Sequence, residues 1–564
     1  MYIYENKISV PLHQGEEQSV LLRSSQRYYY PNQVQGLEEP IPQSQPPSSR
    51  KSTDVVTWTD WLDQNPSKGV RRYVPSSVDD VVRAVKNERK LRTIGARHAD
   101  NRVGRPDVGT AMIDPKRLCG LSLVRKTPGG ALVYIRAGTP VSDANHLLWD
   151  KELALPNMGS FDHQYFAGAV GTGTHGSGAS LGSFADCLHA VDLVDGTGQP
   201  WRIEDPAQPL TTKAAFATSN PGWKLVQDDV ALWRSVGVHA GALGSVTGMV
   251  LKVRDRYKLW ETRRPSTYEA LPKDPVQWEQ TLTAVRHWEA LICPYASEDK
   301  THFAVVTRRG IAPKDLDDVP VPALTDDPDK LPPSSRHVLH ELQRAIRRLG
   351  VRLPLGELLV HHPDKAGEWL QSAMNMLIPK QQRECDFVDR SYRILLLGIG
   401  ARAHGYEMAV PLEHVNTVVD VILSVAAEWN HSDKEKKKRC VFTSPFSLRF
   451  VKAGGQFIGT NGRERIGAPP SEIWCFMEIP RLLIHDEKEK KREFPCYPDA
   501  AVRSIWQACQ RLGVRPHWGQ QEFMIASDLP KLYPNLAAWK AQAARLDPDG
   551  KFANVRALQI GLRT

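Results

Sequence analysis

Two runs of small residues constrain this chain most: RTIGARHADN at positions 92–101 and GTGTHGSG at 171–178. The first reads as a short loop after a strand, closed by one histidine. The second is a Gly/Thr/Ser turn whose glycines lack the Cβ that would keep an anion away from backbone N–H groups. Together they read as two loops gripping one pyrophosphate, with His98 at the edge of the site. The gripping residues are expected to be Ile94, Gly95, Ala96, Arg97, His98 and Ala99, then Gly171, Thr172, Gly173, Thr174, His175, Gly176 and Ser177.

At 564 residues the chain exceeds one ordinary core, so two domains, or one with a large insertion, are expected. Residues 1–53 are rich in Gln, Ser and Pro and read as an extension, partly disordered or draped over the surface. Order is expected from near Val55. Residues 71–85 give a strand, a break at Pro75, a Ser76/Ser77 cap and a helix with Val78, Val81, Val82 and Val85 on one face. A strand and loop follow at 90–99. Alternating strands are predicted at 131–137, 188–194 and 246–253, with the glycine loop between the first two.

From about Tyr257 the pattern changes. Helices are predicted at 278–291, 337–349 and 412–429, with short β-rich runs at 301–307 and 394–397 and an insertion or mobile loop at 313–335. A last helix, 501–512, carries Val502, Ile505, Cys509 and Leu512 on one face and stops at Gly513. No internal repeat is seen. The fold class is α+β, with a nucleotide-binding half first and a substrate half after it.

The net charge is +9, but its two dense runs, 434–439 and 488–492, each include a glutamate and lack interleaved aromatics. They read as solvated charge rather than a nucleic-acid surface; the basic balance still suits an anionic substrate or partner. Eight cysteines occur without CxxC pairing, which argues against zinc or a disulfide framework and fits a reducing compartment. With no apolar leader and no run of about 18 apolar residues, a cytoplasmic protein without a membrane span is expected. GTGTHG also satisfies G-x-G-x-x-G, so a Rossmann reading stays open, with Asp195 as the ribose acid. Against it, GSGASLGSFADC is a poor helix start and the loop does not open the first βα unit. There is no G-x-S-x-G elbow for a hydrolase triad.

The chain resembles the aldonolactone/alditol oxidase branch of the vanillyl-alcohol-oxidase flavoprotein superfamily. The resemblance rests on TIGARHADN, LALPNMGSFDHQYFAGAVGTGTHGSG, GALGSVTGMVL, YEMAVPLEHV, SLRF, VRPHWG and DPDGKFAN, in that order, from about Thr57 to Asn554. It implies a PCMH-type FAD-binding domain of two subdomains (54–257), an α/β cap over the flavin ring (258–500) and a C-terminal segment returning to the FAD domain (501–564). It implies FAD bound covalently through His98, with Val246 and His517 also at the cofactor and Trp518 packed nearby.

Flavin carries the redox step, so the protein must place a substrate C–H over N5 and stabilise the charge that builds nearby. The resemblance assigns Arg449 to that charge and Ser160 to the reacting hydroxyl. By the same resemblance Gly159 leaves room for O2, favouring an oxidase that yields hydrogen peroxide, while a dehydrogenase with another acceptor stays open. Where relatives carry a polyol-reading Glu, His, Thr and Lys, this chain has Ser447, Phe476, Glu478 and Gln520. The expected substrate is therefore a small hydroxylated molecule other than a simple alditol, such as a specialised metabolite. Glu478 is the candidate base if burial raises its pKa; a bound water or no discrete base stays open. An aldonolactone or alditol oxidase proper, or a non-catalytic flavin-fold binder, also stays open. Stereochemistry and oligomeric state are not legible.

Overall fold

The computed structural model describes residues 53–62, 65–319, 365–396, 403–429, 432–433, 438–439, 442–482 and 499–563. The predicted helix 337–349, most of the 313–335 stretch and the run 488–492 lie outside them, as does the extension apart from Thr53.

Three sheets organise the chain. The first has β1 (Thr53–Trp58), β2 (Ser67–Tyr73), β3 (Leu91–Thr93) and β4 (Ala111–Ile113) in the order β1-β2-β4-β3, parallel except for β1 on β2. Helix Val78–Asn87 follows β2 as expected, its end fixed by a Ser77/Asp80 capping box. Its Val81, Ala84 and Val85 pack with Leu91, Ala111 and Ile113.

The second sheet comprises β5 (Leu121–Thr127), β6 (Gly130–Arg136), β7 (Leu153–Ala154), β8 (Leu188–Val194), β9 (Pro200–Glu204), β10 (Lys224–Val226) and β11 (Ser245–Asp255). Its order is β10-β9-β8-β11-β6-β5, with β7 beside β11. The three strands predicted here are all present. The glycine run follows helix Phe166–Gly171 rather than opening one, which removes the Rossmann alternative.

The third sheet uses β12 (Lys258–Thr267), β13 (His287–Ala296), β14 (His302–Ile311), β15 (Phe387–Arg390) and β16 (Ala403–Pro411). After a two-stranded pair, β17 (Ser432–Asp433) and β18 (Lys438–Arg439), it adds β19 (Phe446–Lys452), β20 (Ile473–Leu482) and β21 (Arg515–Pro516). The order is β15-β12-β14-β13-β19-β20-β16-β21, antiparallel throughout.

Two predictions for this half are corrected. The helix expected over 278–291 ends early: it spans Pro275–Thr283, and from His287 the chain is strand. Period-two alternation wins there, with Trp288, Ala290 and Ile292 packed inward. The β-rich run at 394–397 instead begins as the end of helix Ser391–Leu395. Helix Val415–Trp429, preceded by a turn of 3₁₀ helix at Leu412–His414, matches expectation. So does Asp499–Cys509, extended by 3₁₀ helix to Leu512 and stopped by Gly513 at φ +71°.

One face of the third sheet is apolar. Leu448, Phe450, Met477, Met408 and Val410 join Trp288 in the main core, where Trp278 meets Trp288 and Phe450 at 5.2 and 4.8 Å. The C-terminal segment then returns to the first sheet. Leu91 N–H donates to Lys551 O, Arg92 donates to Phe552 O, and the Asn554 amide donates to the carbonyls of Arg102, Val103 and Arg105.

Candidate active site

The loop after β3 is shaped to face a guest rather than itself. Arg97 holds a left-handed φ of +69°, and its carbonyl accepts from Trp61 N–H. None of the backbone N–H groups of Gly95, Ala96, Arg97, His98 and Ala99 donates to a protein acceptor among the described residues. Such a row of unused donors is an anion nest. They border a cleft lined by Ile94 to Ala99, Gly171, Thr172, Val246, His517 and Gln520. Two bare Cα atoms face each other in it: a Cβ on Gly95 would sit 3.8 Å from Gly168 Cα. Gly171 is backed by His239, whose ring would lie 3.0 Å from any Cβ there.

His98 stands at the edge, flanked by Trp61 at 5.3 Å and by Phe161 edge-on at 4.5 Å. Burial, helped by His163 and Arg97, lowers its pKa to about 3, so the ring is neutral. Asp100 ties this loop to the third sheet. It accepts from Gly405 N–H at 2.7 Å and Trp61 Nε1 at 2.9 Å. With its amide nitrogen turned inward, Gln520 donates to Asp100 Oδ2 and Gly405 O, each at 3.2 Å.

The second face of the third sheet carries the chemistry. Opposed residues of antiparallel strands point the same way, and the register aligns Ser447 (β19), Glu478 (β20) and Glu407 (β16) in one row. His517 extends that row, its N–H donating to Glu407 O. The adjacent row holds Glu289, Arg449, Phe476 and Ala409. Arg449 donates to Glu478 at 3.2 Å. Among the described residues the buried Ser447 hydroxyl has no hydrogen-bond partner. Burial, against the pull of Arg449 and with the push of Glu407, raises the Glu478 pKa.

From Gly173 onward the glycine run leaves the cleft and lies on this face. His175 covers the buried Phe476, ring centroids 3.6 Å apart. Its Nδ1 donates to Gly176 O, and its Nε2 lies 3.3 Å from Glu407 Oε1. Burial opposes ionisation of Glu407, but His175, His517 and Arg449 overcome it and hold the pKa at about 2. His517 Nδ1 accepts from Gly519 N–H, and burial lowers its pKa to about 4. His175, Glu407 and His517 have the donor types of a metal site, within 4.8 Å of one another. His517 Nδ1 already accepts from Gly519 N–H, and among the described residues Glu407 Oε1 and His517 Nε2 have no hydrogen-bond partner.

The cleft thus gathers the first loop, Gly171, Thr172, Val246, His517 and Gln520. Thr174 to Ser177, Gly159 and Ser160 do not line it. Gly159 packs under the glycine run, where a Cβ would approach Thr174 Cγ2 to 3.1 Å. Ser160 is half-buried. Sequence reading missed Asp100, Glu407 and His239. The first two lie inside quoted motifs, but a motif does not say which of its members face the site.

Two family models match the chain: one described as an FAD binding domain, over residues 72–204, and one as D-arabinono-1,4-lactone oxidase, over 340–560. The chain is 21% identical to an L-gulono-1,4-lactone dehydrogenase of Mycobacterium tuberculosis over 503 residues, 88% of this chain and 97% of the relative. It is 24% identical to an alditol oxidase of a Streptomyces species, covering 75% of this chain and 79% of the relative. Among solved structures, a cholesterol oxidase from B. sterolicum aligns with a TM-score of 0.62 at 13% identity, covering 92% of this chain and 99% of that one. A solvent-stable cholesterol oxidase aligns at 0.63 and 15%, covering 92% and 100%. Among the described residues, no helix is long and apolar enough to cross a membrane.

Proposed function

We propose, for a chain that belongs to the aldonolactone/alditol oxidase branch of the FAD-dependent vanillyl-alcohol-oxidase superfamily, the oxidation of a CH–OH group on a small hydroxylated molecule. The observation that carries this reading is the row Ser447–Glu478–Glu407–His517 beside Arg449. FAD fits the cleft, because five unused N–H groups suit its pyrophosphate and the bare Gly95 and Gly168 leave room for it. Bound there, FAD would supply a two-electron acceptor at N5, with O2 as its reoxidant and hydrogen peroxide as the by-product.

The chain supplies the rest. Arg449 keeps a permanent positive charge where negative charge builds. Glu478, its pKa raised, takes the hydroxyl proton. The unpartnered Ser447 hydroxyl and Ser160 hydrogen-bond the substrate. Gln520 contributes a neutral amide engaged by Asp100, and Phe476 an apolar ring under His175. This set points away from simple alditols. His98, neutral at the cleft edge, is the residue for covalent attachment. The division into 54–257, 258–500 and 501–564 belongs to the same reading.

The match to a D-arabinono-1,4-lactone oxidase model favours, as a second reading, an aldonolactone oxidase proper. Holoprotein mixed without oxygen with xylitol, sorbitol, a lactone series and larger alcohols separates the two by which donors bleach the flavin. Oxygen uptake with peroxide formation then tests the reoxidant. The bleaching rate should rise with pH through the raised Glu478 pKa, and Glu478→Gln should slow it by about 10²–10⁴. Flavin that no CH–OH donor bleaches refutes the enzyme; protein that stays colourless when given FAD refutes the cofactor.

A further inference from the structure

His239 stands in the wall of the FAD cleft, on the turn that follows helix Val230–Val236. Backbone bonds hold that turn in place. His239 N–H and Ala240 N–H both donate to Gly171 O, at 3.1 and 2.8 Å. Ala240 and Gly241 then take left-handed φ values of +46° and +69°, which an alanine adopts only at a cost. The turn brings Gly241 N–H back onto the ring, where it donates to His239 Nδ1 at 2.9 Å.

That one bond fixes the tautomer. A ring nitrogen that accepts keeps its lone pair, so the hydrogen of the neutral imidazole sits on Nε2. A second hydrogen on Nδ1 would meet Gly241 N–H head-on, so the ring stays neutral. Burial and Arg92 act in the same direction, lowering the pKa to about 4. His239 is only 7% exposed, yet its Nε2–H has no acceptor among the described residues. The edge carrying Nε2 stands at Gly171, in the second gripping loop: a Cβ on Gly171 would lie 3.0 Å from Nε2 and 3.1 Å from Cε1. The bare glycine keeps that edge uncovered.

Arg92 places a charge behind it. Its guanidinium lies against Gly241, with Cζ 3.0 Å from where a Cβ would stand. It donates to the carbonyls of Val103, Ala240, Gly241 and Phe552. It forms no ion pair among the described residues; Asp107 and Asp547 act on it only from a distance. A donor without an acceptor, beside a buried cation without a counter-ion, suits an anionic acceptor. In FAD that group is the pyrophosphate. We infer that His239 Nε2–H donates to a pyrophosphate oxygen of FAD, with Arg92 as the fixed charge behind the bond. The inference rests on the reading above in which FAD occupies this cleft, and it adds a side-chain donor to the backbone nest of residues 95–99.

Asparagine and glutamine divide the two ring nitrogens between them. The Asn oxygen stands in for Nδ1 and accepts from Gly241; the Gln amide nitrogen stands in for Nε2 and donates to the cleft. With His98→Ala in every chain, so that flavin exchanges freely, FAD affinity should fall about tenfold or more in His239→Asn and stay near the parent's in His239→Gln. Riboflavin, which lacks phosphate, should bind the Asn variant and its parent alike. One ³¹P resonance of bound FAD should move in His239→Asn and return in His239→Gln. If His239→Asn fails to fold, His239→Phe, which fills the ring's space without a donor, takes its place. Phosphorus resonances that stay put, equal losses for FAD and riboflavin, or affinity lost with Gln and kept with Asn overturn the assignment and leave FAD in the cleft. A parent that takes up no FAD overturns the cofactor reading itself.

Discussion

Replacing Asp100 by alanine deletes one carboxylate shared by three elements. Gly405 N–H, bonded at 2.7 Å, is buried and loses its acceptor outright; leaving such a donor unpaired costs about 2–3 kcal/mol. Trp61 Nε1, at 2.9 Å, and the Gln520 amide, at 3.2 Å, belong to half-buried side chains that recover water, so their loss together costs about 1 kcal/mol. The expected destabilisation is therefore about 3–4 kcal/mol. Asp100→Asn keeps one oxygen for Trp61 but sets an NH₂ against Gly405 N–H, so it should lose only the larger share, about 2–3 kcal/mol. Urea unfolding of the holoprotein, followed in parallel by flavin fluorescence and far-UV circular dichroism, measures both. The change in flavin fluorescence should precede global unfolding, because the injured contact holds the 94–101 loop to the third sheet. A D100A protein within about 0.5 kcal/mol of wild type, its flavin fluorescence changing no earlier, would refute this account of the loop.

His98→Ala should release all flavin on acid precipitation while the wild type keeps it in the pellet; wild-type protein that also releases it refutes covalent attachment. Gly176→Ala places a Cβ 2.2 Å from Asn157 Oδ1 and 2.3 Å from Met158 O, so thermal unfolding should show a loss of about 1–3 kcal/mol. Gly173→Ala, where Val238 Cγ2 at 3.7 Å and Thr460 Oγ1 at 4.0 Å are ordinary contacts, should cost just the strain of φ +77°, about 1–2 kcal/mol. The Glu407 pKa is held at about 2 in the folded chain against a reference of 4.5. Its contribution to stability is thus present above pH 4.5 and lost as pH falls toward 2, so urea midpoints should decline across that window, less steeply in Glu407→Gln.

The FAD half was legible because its signals are local. Small residues after a strand mark the cradle, and a Ser77 cap with valines at helical spacing marks the first helix. The third sheet was harder. Residues 287–292 alternate with period two, but they follow a true helix whose apolar spacing runs smoothly into them. Ile394 to Leu396 form a continuous apolar run, which periodicity cannot assign to strand or buried helix. The row of Ser447, Glu478, Glu407 and His517 depends on which strands become neighbours and in what register. Those pairings join segments far apart in the chain, so no local window contains them. Arg449 and Glu478 were found through resemblance, whereas Glu407 gains its meaning only from its neighbours across β20 and in the glycine run.

The bond from Arg92 to Phe552 spans 460 positions and braces the root of the anion nest. A nascent chain cannot make it until residue 552 has left the ribosome, so the nest is assembled late. Flavin capture then belongs to the closing stage of biogenesis, and a proteolytic cut that frees the Asp547–Asn554 turn should expose the flavin of a molecule whose three sheets are otherwise whole.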